Sequence, residues 1–390
     1  MSPENFIRTT ESRHIAGVKK LWESLDYGDL FSRYYRGLYC EGCEDFVVER
    51  DLAGGKCPDH LTLPKNVEET NYFFRLSKYQ NQIERLIDSD EIRILPEYRK
   101  REVLAFVRSG LRDISVSRDA NRMSGWGIPV PDDPTQVIYV WIDALINYIS
   151  GIGFGTGLDW RKNWNEMTWK LHVIGKNVWK FHAVYWPALL LSAGLPVPNT
   201  ILIHGFLTVE GRKISKSLGN AIDPVCEVGV LGSDALRLYL LSLSTFADGD
   251  YSREGLFRFY NKQIAVRLGS TVTRITALCE RLGIDNVTFD GRPAAPQSFL
   301  DQIDQFRLDG ALNELMKLLD GVNEKVAEAR PWESDTHDTE MRRSLERWTR
   351  TLQTVGYWIQ AFAPGVGKRI LEVVTQKPIR KPASLFPRTQ

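Results

Sequence analysis

Apolar residues recur at helical spacing in SRHIAGVKKLWESL, near the start of the chain, which predicts a helix within residues 1–36. Residues 37–65, around a group of cysteines, are typical of short strands and turns. The spacing in EETNYFFRLSKYQNQIERLI and PEYRKREVLAFVRSG predicts helices across residues 66–115. A Gly/Pro-rich break, GWGIPVPDDP, separates this region from the next.

Beyond the break, apolar and β-branched runs predict strands in VIYVWIDAL, LHVIGK and TILIHGFLTV. Helix-like segments such as VWKFHAVYWPALLLSAGL alternate with them, which predicts a parallel sheet covered by helices. From about Tyr251 to Val374 the strand pattern almost vanishes, and the periodicity predicts a helical bundle. The final segment, KPIRKPASLFPRTQ, is basic and proline-rich and predicts an extended or disordered tail.

Composition limits the class of protein. The 390 residues are 43% hydrophobic and 25% charged, which excludes a wholly disordered or fibrous chain. With 50 basic and 49 acidic residues the net charge is +1, so total charge indicates neither a nucleic-acid nor a membrane partner. The polar N-terminus and the short apolar runs predict a soluble, cytoplasmic protein without a signal peptide or membrane span.

Three of the five cysteines form a compact motif with one histidine. Cys40-x2-Cys43 is followed after thirteen residues by Cys57-x2-His60, and two such pairs suit a tetrahedral zinc ion. Four protein ligands leave no open position, so the zinc would be structural. The alternative is three buried thiols beside a surface histidine.

The string KISKSLGN (213–220) follows an apolar strand, where α/β folds place ligand loops. Its ammonium and hydroxyl groups could hold a polyphosphate and stabilise a leaving pyrophosphate. The alternative is a solvated basic loop. A weaker candidate lies at the end of the same strand, where His204-Gly205 would let a ligand approach the backbone, although a strand-end turn explains it equally well.

A group of aromatic residues forms a fourth candidate site, made up of Trp141, Tyr148, Phe181, His182 and Trp186. Trp141 and Tyr148 lie seven apart, and His182 and Trp186 four apart, so on helices each pair would share a face. An aromatic wall suits an apolar or thioether side chain. The alternative is an ordinary hydrophobic core.

Collinear segments together resemble methionyl-tRNA synthetases, a family of class I aminoacyl-tRNA synthetases, from NFIRTT to about residue 375. They are YCEGCEDF with CPDH, NYFFRLSKYQ, GLRDISVSR, GIPVP, YVWIDALINYI, GKNVWKFHAVYWPALLLSAGLP and HGFLTVEGRKISKSLGN. The resemblance implies an α/β fold whose Rossmann-type parallel sheet is incomplete at the N-terminus, with a zinc-knuckle insertion and a C-terminal all-α bundle.

The implied divisions are a remnant of the first Rossmann half (1–36), a connective insertion (37–125) with the zinc knuckle (37–65), the second Rossmann half with the KISKS loop (126–250), a helical anticodon-binding domain (251–375) and a basic tail (376–390). The implied reaction is ATP-dependent activation of methionine to methionyl-adenylate and transfer to tRNA(Met). Magnesium would accompany ATP. A further C-terminal domain is not apparent, so we expect a monomer.

The resemblance also implies roles for individual residues. The catalytic lysine–serine loop corresponds to Lys213, Ser215, Lys216 and Ser217. The methionine pocket corresponds to Trp141, Ala144, Tyr148, His182 and Trp186. The ATP site corresponds to Gly175, Asn177, His204, Gly205, Leu207 and Lys216. The zinc ligands would be Cys40, Cys43, Cys57 and His60, and Trp332, after Pro331, would stack on the anticodon.

Some positions depart from the family pattern. No HIGH-type motif occurs in the sequence, and the family segment that carries it would precede this chain or be supplied in trans. Asn177 stands where an aspartate usually binds the ribose. Val266 and Ser270 stand where asparagines are usual, one of which typically reads the anticodon.

Three hypotheses follow. The first is a methionine–tRNA ligase, which may be written here as a chain impaired by the missing HIGH segment only if its adenylation is weak. The second is a paralogue that activates an amino acid for a non-tRNA acceptor, as in hydrazine-forming natural-product pathways. The third is a non-catalytic tRNA-binding pseudo-synthetase.

Overall fold

The structure is a computed structural model that describes residues 5–42, 45–49, 52–58, 61–157, 159–165, 167–214, 219–289 and 291–389. The chain divides into two compact units, Met1–Ile203 and His204–Gln390. Within the described ranges, no helix is both long and apolar enough to cross a lipid bilayer.

The helices of the first unit are α1 (Ser12–Ser24), α2 (Gln80–Asp88), α3 (Glu97–Arg108), α4 (Val140–Leu145), α5 (Asn147–Ser150) and α6 (Trp186–Ser192). A π-helical segment, Phe181–Tyr185, leads directly into α6. π-helical turns are rare and frequent at functional sites, because the wider turn turns side chains toward a new direction. This segment carries two residues of the predicted aromatic wall, Phe181 and His182.

The strands of the first unit are β1 (Leu30–Cys40), β2 (Asp45–Val47), β3 (Lys65–Phe74), β4 (Arg93–Leu95), β5 (Ile114–Ser115), β6 (Ser117–Asp119), β7 (Pro129–Val130), β8 (Asp133–Ile138), β9 (Leu171–Gly175) and β10 (Thr200–His204). They form an antiparallel sheet β2-β1-β3-β5, an antiparallel sheet β6-β8-β7 and a sheet β4-β10-β9 in which β4 and β10 are parallel. The predicted mixed α/β class is therefore correct, whereas three described strands in the last sheet do not define a Rossmann arrangement.

The helical prediction for residues 66–115 is wrong over its first part, where Lys65–Phe74 is strand β3. This strand pairs with β1 over ten positions, from Leu30 opposite Phe74 to Tyr39 opposite Lys65. Aromatic residues favour strands, and cross-strand pairs such as Phe31 and Phe73 stabilise them. Long-range pairing thus overrides the local helical spacing. The second half of the prediction, over α2 and α3, is correct.

The run VIYVWIDAL also differs from its predicted strand. Strand β8 ends at Ile138, and α4 begins at Val140. The core of this unit gathers buried side chains of α2, α3, α4, α6 and β10, among them Ile83, Val103, Ile142 and Ile201. The helical part of the run therefore carries its own buried face into this core.

The second unit begins with a small sheet and continues as helices. The sheet is β12-β11-β13, with β11 (Leu207–Val209), β12 (Arg212–Lys213) and β13 (Gly249–Tyr251). The helices are α7 (Pro224–Leu231), α8 (Ser233–Ser242), α9 (Arg253–Phe259), α10 (Thr271–Arg281), α11 (Gln297–Asp304), α12 (Leu308–Ala329), α13 (Thr339–Trp358) and α14 (Pro364–Thr375). An eleven-residue π-helical segment, Tyr260–Ser270, joins α9 to α10. The predicted helical character of residues 251–374 is confirmed.

The C-terminal tail lacks helix and strand in its described part, as expected of an extended segment, but it is packed against the bundle. Ile379, Leu385 and Phe386 are buried in the second unit's core. The Asn261 side chain accepts a hydrogen bond from the Thr389 N–H at 3.0 Å and donates one to its carbonyl at 3.0 Å. Burial of these three apolar side chains offsets the entropy of ordering the tail.

Candidate active site

The aromatic wall is built on α4, α5 and the helix that follows β9. Trp141 and Ala144 lie in α4, and Tyr148 lies in α5, at positions i, i+3 and i+7. The connecting residue, Ile146, has helical backbone angles, so the three residues lie along one continuous helical face. His182 and Trp186 approach this face from the π-helical segment and α6.

Tyr148 and His182 form the polar contact of the wall. The Tyr148 Oη lies 2.8 Å from the His182 Nε2, and the His182 Nδ1 lies 2.9 Å from the Val178 carbonyl oxygen. Because a carbonyl only accepts, Nδ1 carries the proton in this bond. A neutral His182 then has a lone pair at Nε2, which accepts the Tyr148 hydroxyl proton. The oxygen of Tyr148 is left with acceptor capacity toward a ligand.

Burial keeps these groups uncharged. It raises the pKa of Tyr148 to about 12, and it lowers the pKa of His182 below its usual range, against a smaller raising effect of the bond to Val178. The site therefore presents a neutral, largely apolar surface with one hydroxyl oxygen. Such a surface suits a side chain that is apolar or thioether and carries no charge.

Ring contacts fix the remaining members of the wall. Trp141 stacks on Phe181 with ring centroids 4.2 Å apart and planes 10° apart. Tyr148 lies 5.7 Å from His182 and 6.2 Å from Trp186 between ring centroids. The predicted aromatic group is thus brought together in one place, although the interpretation as core also holds for Trp186, which is fully buried.

Two aromatic residues of this cluster were missed by the sequence analysis. The His172 ring lies 4.0 Å from that of Tyr148, and the Trp164 ring lies 6.2 Å from that of His172. Burial, with the neighbouring His182 and Lys170 charges, lowers the pKa of His172 to about 3. The alternation in LHVIG, which places His172 and Ile174 on one side of a strand, was the available signal.

The predicted ribose residues follow β9. Gly175 is the last residue of this strand, and its carbonyl accepts the Val178 N–H at 3.2 Å in a turn. Asn177 lies in that turn with an exposed side chain. Its amide is therefore available to a ligand hydroxyl as both donor and acceptor.

In the second unit, the His204-Gly205 turn is tightly constrained. The His204 Nδ1 donates to the Gly205 carbonyl at 2.7 Å, and the Phe206 N–H donates to the Asp248 carboxylate at 2.9 Å. A Cβ at Gly205 would lie 2.1 Å from the Ala247 carbonyl oxygen, so only glycine fits. Leu207 begins β11 with its side chain partly exposed.

The base of the KISKSLGN loop is closed by its own ends. The Asn220 side chain donates to the Lys213 carbonyl at 3.0 Å, and the Lys213 ammonium lies 5.4 Å from the centroid of the Phe206 ring. Three predicted catalytic residues, Ser215, Lys216 and Ser217, lie outside the described residues. Their predicted roles stay predictions.

Two of the four predicted zinc ligands are described. Cys40 and Cys57 are buried, and Thr62 links them: its hydroxyl lies 3.9 Å from the Cys40 Sγ, and its carbonyl accepts the Cys57 N–H at 2.9 Å. Cys43 and His60 lie outside the described part of the chain. Across the described ranges, no group of three or more His, Cys, Asp or Glu side chains is arranged to hold a metal ion.

Trp332 is presented at the surface of the helical unit. It follows α12 within the short helix Pro331–Glu333, and 54% of its surface is exposed. The Arg281 guanidinium donates to the Trp332 carbonyl at 2.9 Å and to the Pro331 carbonyl. The backbone is thereby fixed while the indole stays open to a stacking partner.

The family model of class I tRNA synthetases (M) matches residues 1–63 and 60–276. The chain belongs to this family of methionyl-tRNA synthetases. Methionine–tRNA ligases of Caldanaerobacter subterraneus and Rickettsia bellii are each 36% identical to it over 95% of the chain. The match covers 60% of the first relative and 76% of the second, so the chain spans about three fifths of the length of several curated relatives.

Solved structures of this family agree with the fold. Mycobacterium tuberculosis methionyl-tRNA synthetase bound by methionyl-adenylate is 31% identical and superposes with a TM-score of 0.86, over 99% of this chain and 83% of that chain. The free form of the same enzyme gives a TM-score of 0.85. The described α/β unit and helical unit therefore have a class I synthetase fold.

Proposed function

We propose that this chain activates methionine with ATP and transfers it to tRNA(Met). The observation that carries the proposal is the neutral Tyr148–His182 pair within an aromatic wall, at positions that the family resemblance assigns to methionine. The likeness to a synthetase solved with methionyl-adenylate supports it. The matched relatives are methionine–tRNA ligases, which favours this function over a non-tRNA acceptor or a pseudo-synthetase.

The first step needs no covalent bond to the protein. The methionine carboxylate attacks the α-phosphorus of ATP, an O–P bond forms, and the bond to the bridging oxygen breaks as pyrophosphate leaves. Because the carboxylate is already ionised, no general base is required. Catalysis consists of positioning the two reactants and stabilising the charge of the leaving group.

The proposed roles follow the chemistry of each residue. Lys213 and Lys216 would supply positive charge to the pyrophosphate, with Ser215 and Ser217 as hydrogen-bonding hydroxyls. Trp141, Ala144, Tyr148, His182 and Trp186 would enclose the methionine side chain. Gly175 and Asn177 would bind the ribose, and His204, Gly205 and Leu207 the adenine. Magnesium would arrive with ATP rather than in a protein cage.

Methionine-dependent ATP–pyrophosphate exchange by the purified chain tests this function. We expect exchange in the wild type and a loss of at least about 100-fold in Lys216→Ala, because a charge that stabilises the transition state is removed. Lys368→Ala is the matched control, since this exposed lysine of α14 lies outside the proposed machinery. Absence of exchange in a folded wild-type chain would contradict the proposal.

The acceptor is tested separately. Charging of tRNA(Met) transcripts by a chain that is active in exchange is the expected result. Activation of methionine with no charging would favour the non-tRNA acceptor, because Val266 and Ser270 replace the family's usual asparagines. A protein of this activity would work in the cytoplasm, where tRNA is charged.

We also propose a structural zinc ion held by Cys40, Cys43, Cys57 and His60. The buried thiols of Cys40 and Cys57, joined through Thr62, fit soft zinc ligands, and the turn between them contains Gly54 and Gly55 at positive φ. Cys57→Ser should lower zinc content from one ion per chain toward zero by elemental analysis. Cys279→Ser, a buried cysteine outside the motif, should retain it.

A further inference from the structure

His172 and Trp186 carry buried polar atoms that the proposed methionine site does not use. The His172 side chain is 3% exposed, and Trp186 is fully buried. Within the described part of the chain, neither ring nitrogen of His172 and no group near the Trp186 Nε1 completes a hydrogen bond. Three buried polar atoms in one cluster are unusual, because buried polar groups nearly always have a partner.

The two rings are enclosed by the same neighbours. Tyr148 lies 4.0 Å from His172 and 6.2 Å from Trp186, and Trp164 lies 6.2 Å and 6.3 Å from them, measured between ring centroids. The unpartnered nitrogens therefore belong to one small region, bounded by Tyr148 and Trp164. This region lies on the side of Tyr148 that packs against strand β9.

The chemistry of the two rings is complementary toward a water molecule. An indole nitrogen only donates, whereas a neutral imidazole has one donor and one acceptor nitrogen. One water molecule can accept the indole proton and donate to the imidazole lone pair. Internal waters of this kind typically make about three hydrogen bonds to otherwise unsatisfied groups.

We propose that one buried water molecule bridges the Trp186 Nε1 and His172 behind Tyr148, and that His172 is thereby a positioning residue of the amino-acid side-chain pocket. Tyr148 is then held between the His172 ring on one side and the His182 Nε2 at its hydroxyl. The pocket's single polar atom is fixed in place by groups that never touch the substrate. The inference rests on the proposed function only for its methionine readout.

The bridge itself is tested without methionine. A high-resolution crystal structure of the wild-type chain should show a water within hydrogen-bond distance of the Trp186 Nε1 and one His172 nitrogen. In a double-mutant cycle, His172→Phe and Trp186→Phe should each lower the unfolding equilibrium constant. Their combined effect should differ from the product of the single effects by at least about threefold, because both remove the same bridge.

The positioning role is tested by kinetics of ATP–pyrophosphate exchange. His172→Phe should raise the KM for methionine about tenfold and leave kcat within about twofold, because one buried hydrogen-bonded support of Tyr148 is lost. His172→Gln, which keeps a donor and an acceptor, should recover most of the affinity. Ile83→Val, a core change in α2, controls for a general loss of stability.

The outcomes separate the inference from the function. Absence of the water, or purely additive effects in the cycle, overturns the bridge even if methionine binds. A bridge that is present while the His172→Phe KM is unchanged overturns the positioning role. If the wild type shows the water and the coupling but no response to methionine, the proposed function fails and the bridge stands.

Discussion

The Tyr148 hydroxyl has one proton, and His182 accepts it. This bond depends on a neutral imidazole whose Nδ1 donates to the Val178 carbonyl. A protonated His182 would have two donor nitrogens and would turn the hydroxyl around. Selectivity at this site therefore depends on a protonation state that burial maintains.

Removal of the Tyr148 hydroxyl should weaken the site. We expect Tyr148→Phe to reduce methionine affinity about tenfold and to lower the free energy of unfolding by about 1–2 kcal/mol, because the buried His182 Nε2 loses its partner. Isothermal titration and chemical denaturation measure the two effects. Tyr27→Phe, at a fully exposed tyrosine, should change neither quantity.

The buried histidines also predict a dependence of stability on pH. In the unfolded chain His172 takes up a proton near pH 6.5, but in the folded chain only near pH 3. The stability it contributes is complete above about pH 6.5 and is lost as pH falls toward 3. The difference is about 1.4 kcal/mol per pH unit for this residue.

Denaturation curves between about pH 4 and 6 should show this slope. His172→Phe should flatten the pH dependence of unfolding by about one proton relative to the wild type. Buried carboxylates add to the acid loss in both proteins, so the difference isolates the histidine. Equal slopes in the two proteins would show that His172 is protonated when folded.

At the scale of elements, the sequence predicts most helices, because a helix is encoded by local spacing. Helices α1, α2, α3 and those of the second unit follow the apolar periodicity. Strand β3 was missed because its stability comes from β1, more than thirty residues away at most positions of the ladder. The helical part of VIYVWIDAL was missed because β-branched and aromatic residues suit a buried helix as well as a strand.

The tight turn after β10 gives a prediction about an element boundary. Gly205→Ala would place a Cβ 2.1 Å from the Ala247 carbonyl, so we expect a loss of about 1–3 kcal/mol in unfolding and weaker ATP binding. Gly229→Ala in α7 is the matched control, since no atom lies within 4 Å of its new Cβ. That variant should be neutral or slightly stabilised.

At the scale of the whole molecule, each unit has its own hydrophobic core. One core contains side chains up to Ile203 only, and the other contains side chains from Ala235 onward. The proposed activities are divided in the same way, with the methionine wall in the first unit and Trp332 in the second. We therefore expect amino-acid activation and tRNA recognition to be separable by single substitutions.

Trp332→Ala should weaken tRNA(Met) binding about tenfold, because base stacking on an aromatic ring contributes about 1–3 kcal/mol. Methionine-dependent exchange and stability should be unchanged, since the indole is mostly exposed. Trp348→Ala is the contrasting variant: its buried ring supports the core, and its loss should destabilise the unit. A Trp332 variant with normal tRNA affinity would exclude stacking.

The candidate site was predictable where residues are close along the chain or share a family position. Helical spacing alone grouped Trp141 with Tyr148, and His182 with Trp186. The contact between these two pairs, and the presence of His172 and Trp164 beside them, depends on tertiary packing that spacing does not encode. The polarity of the Tyr148–His182 bond likewise required the position of the Val178 carbonyl.

The π-helical segment Tyr260–Ser270 affects how this chain is compared with its relatives. A π-helix bonds each residue to the fifth one along, so it holds an extra residue relative to an α-helix of the same length. Where a relative has an α-helix here, an ungapped alignment shifts positions by one residue. Equivalence of Val266 and Ser270 with particular asparagines is then a question of superposed coordinates, and ancestral reconstruction across this segment should place an insertion or deletion within it.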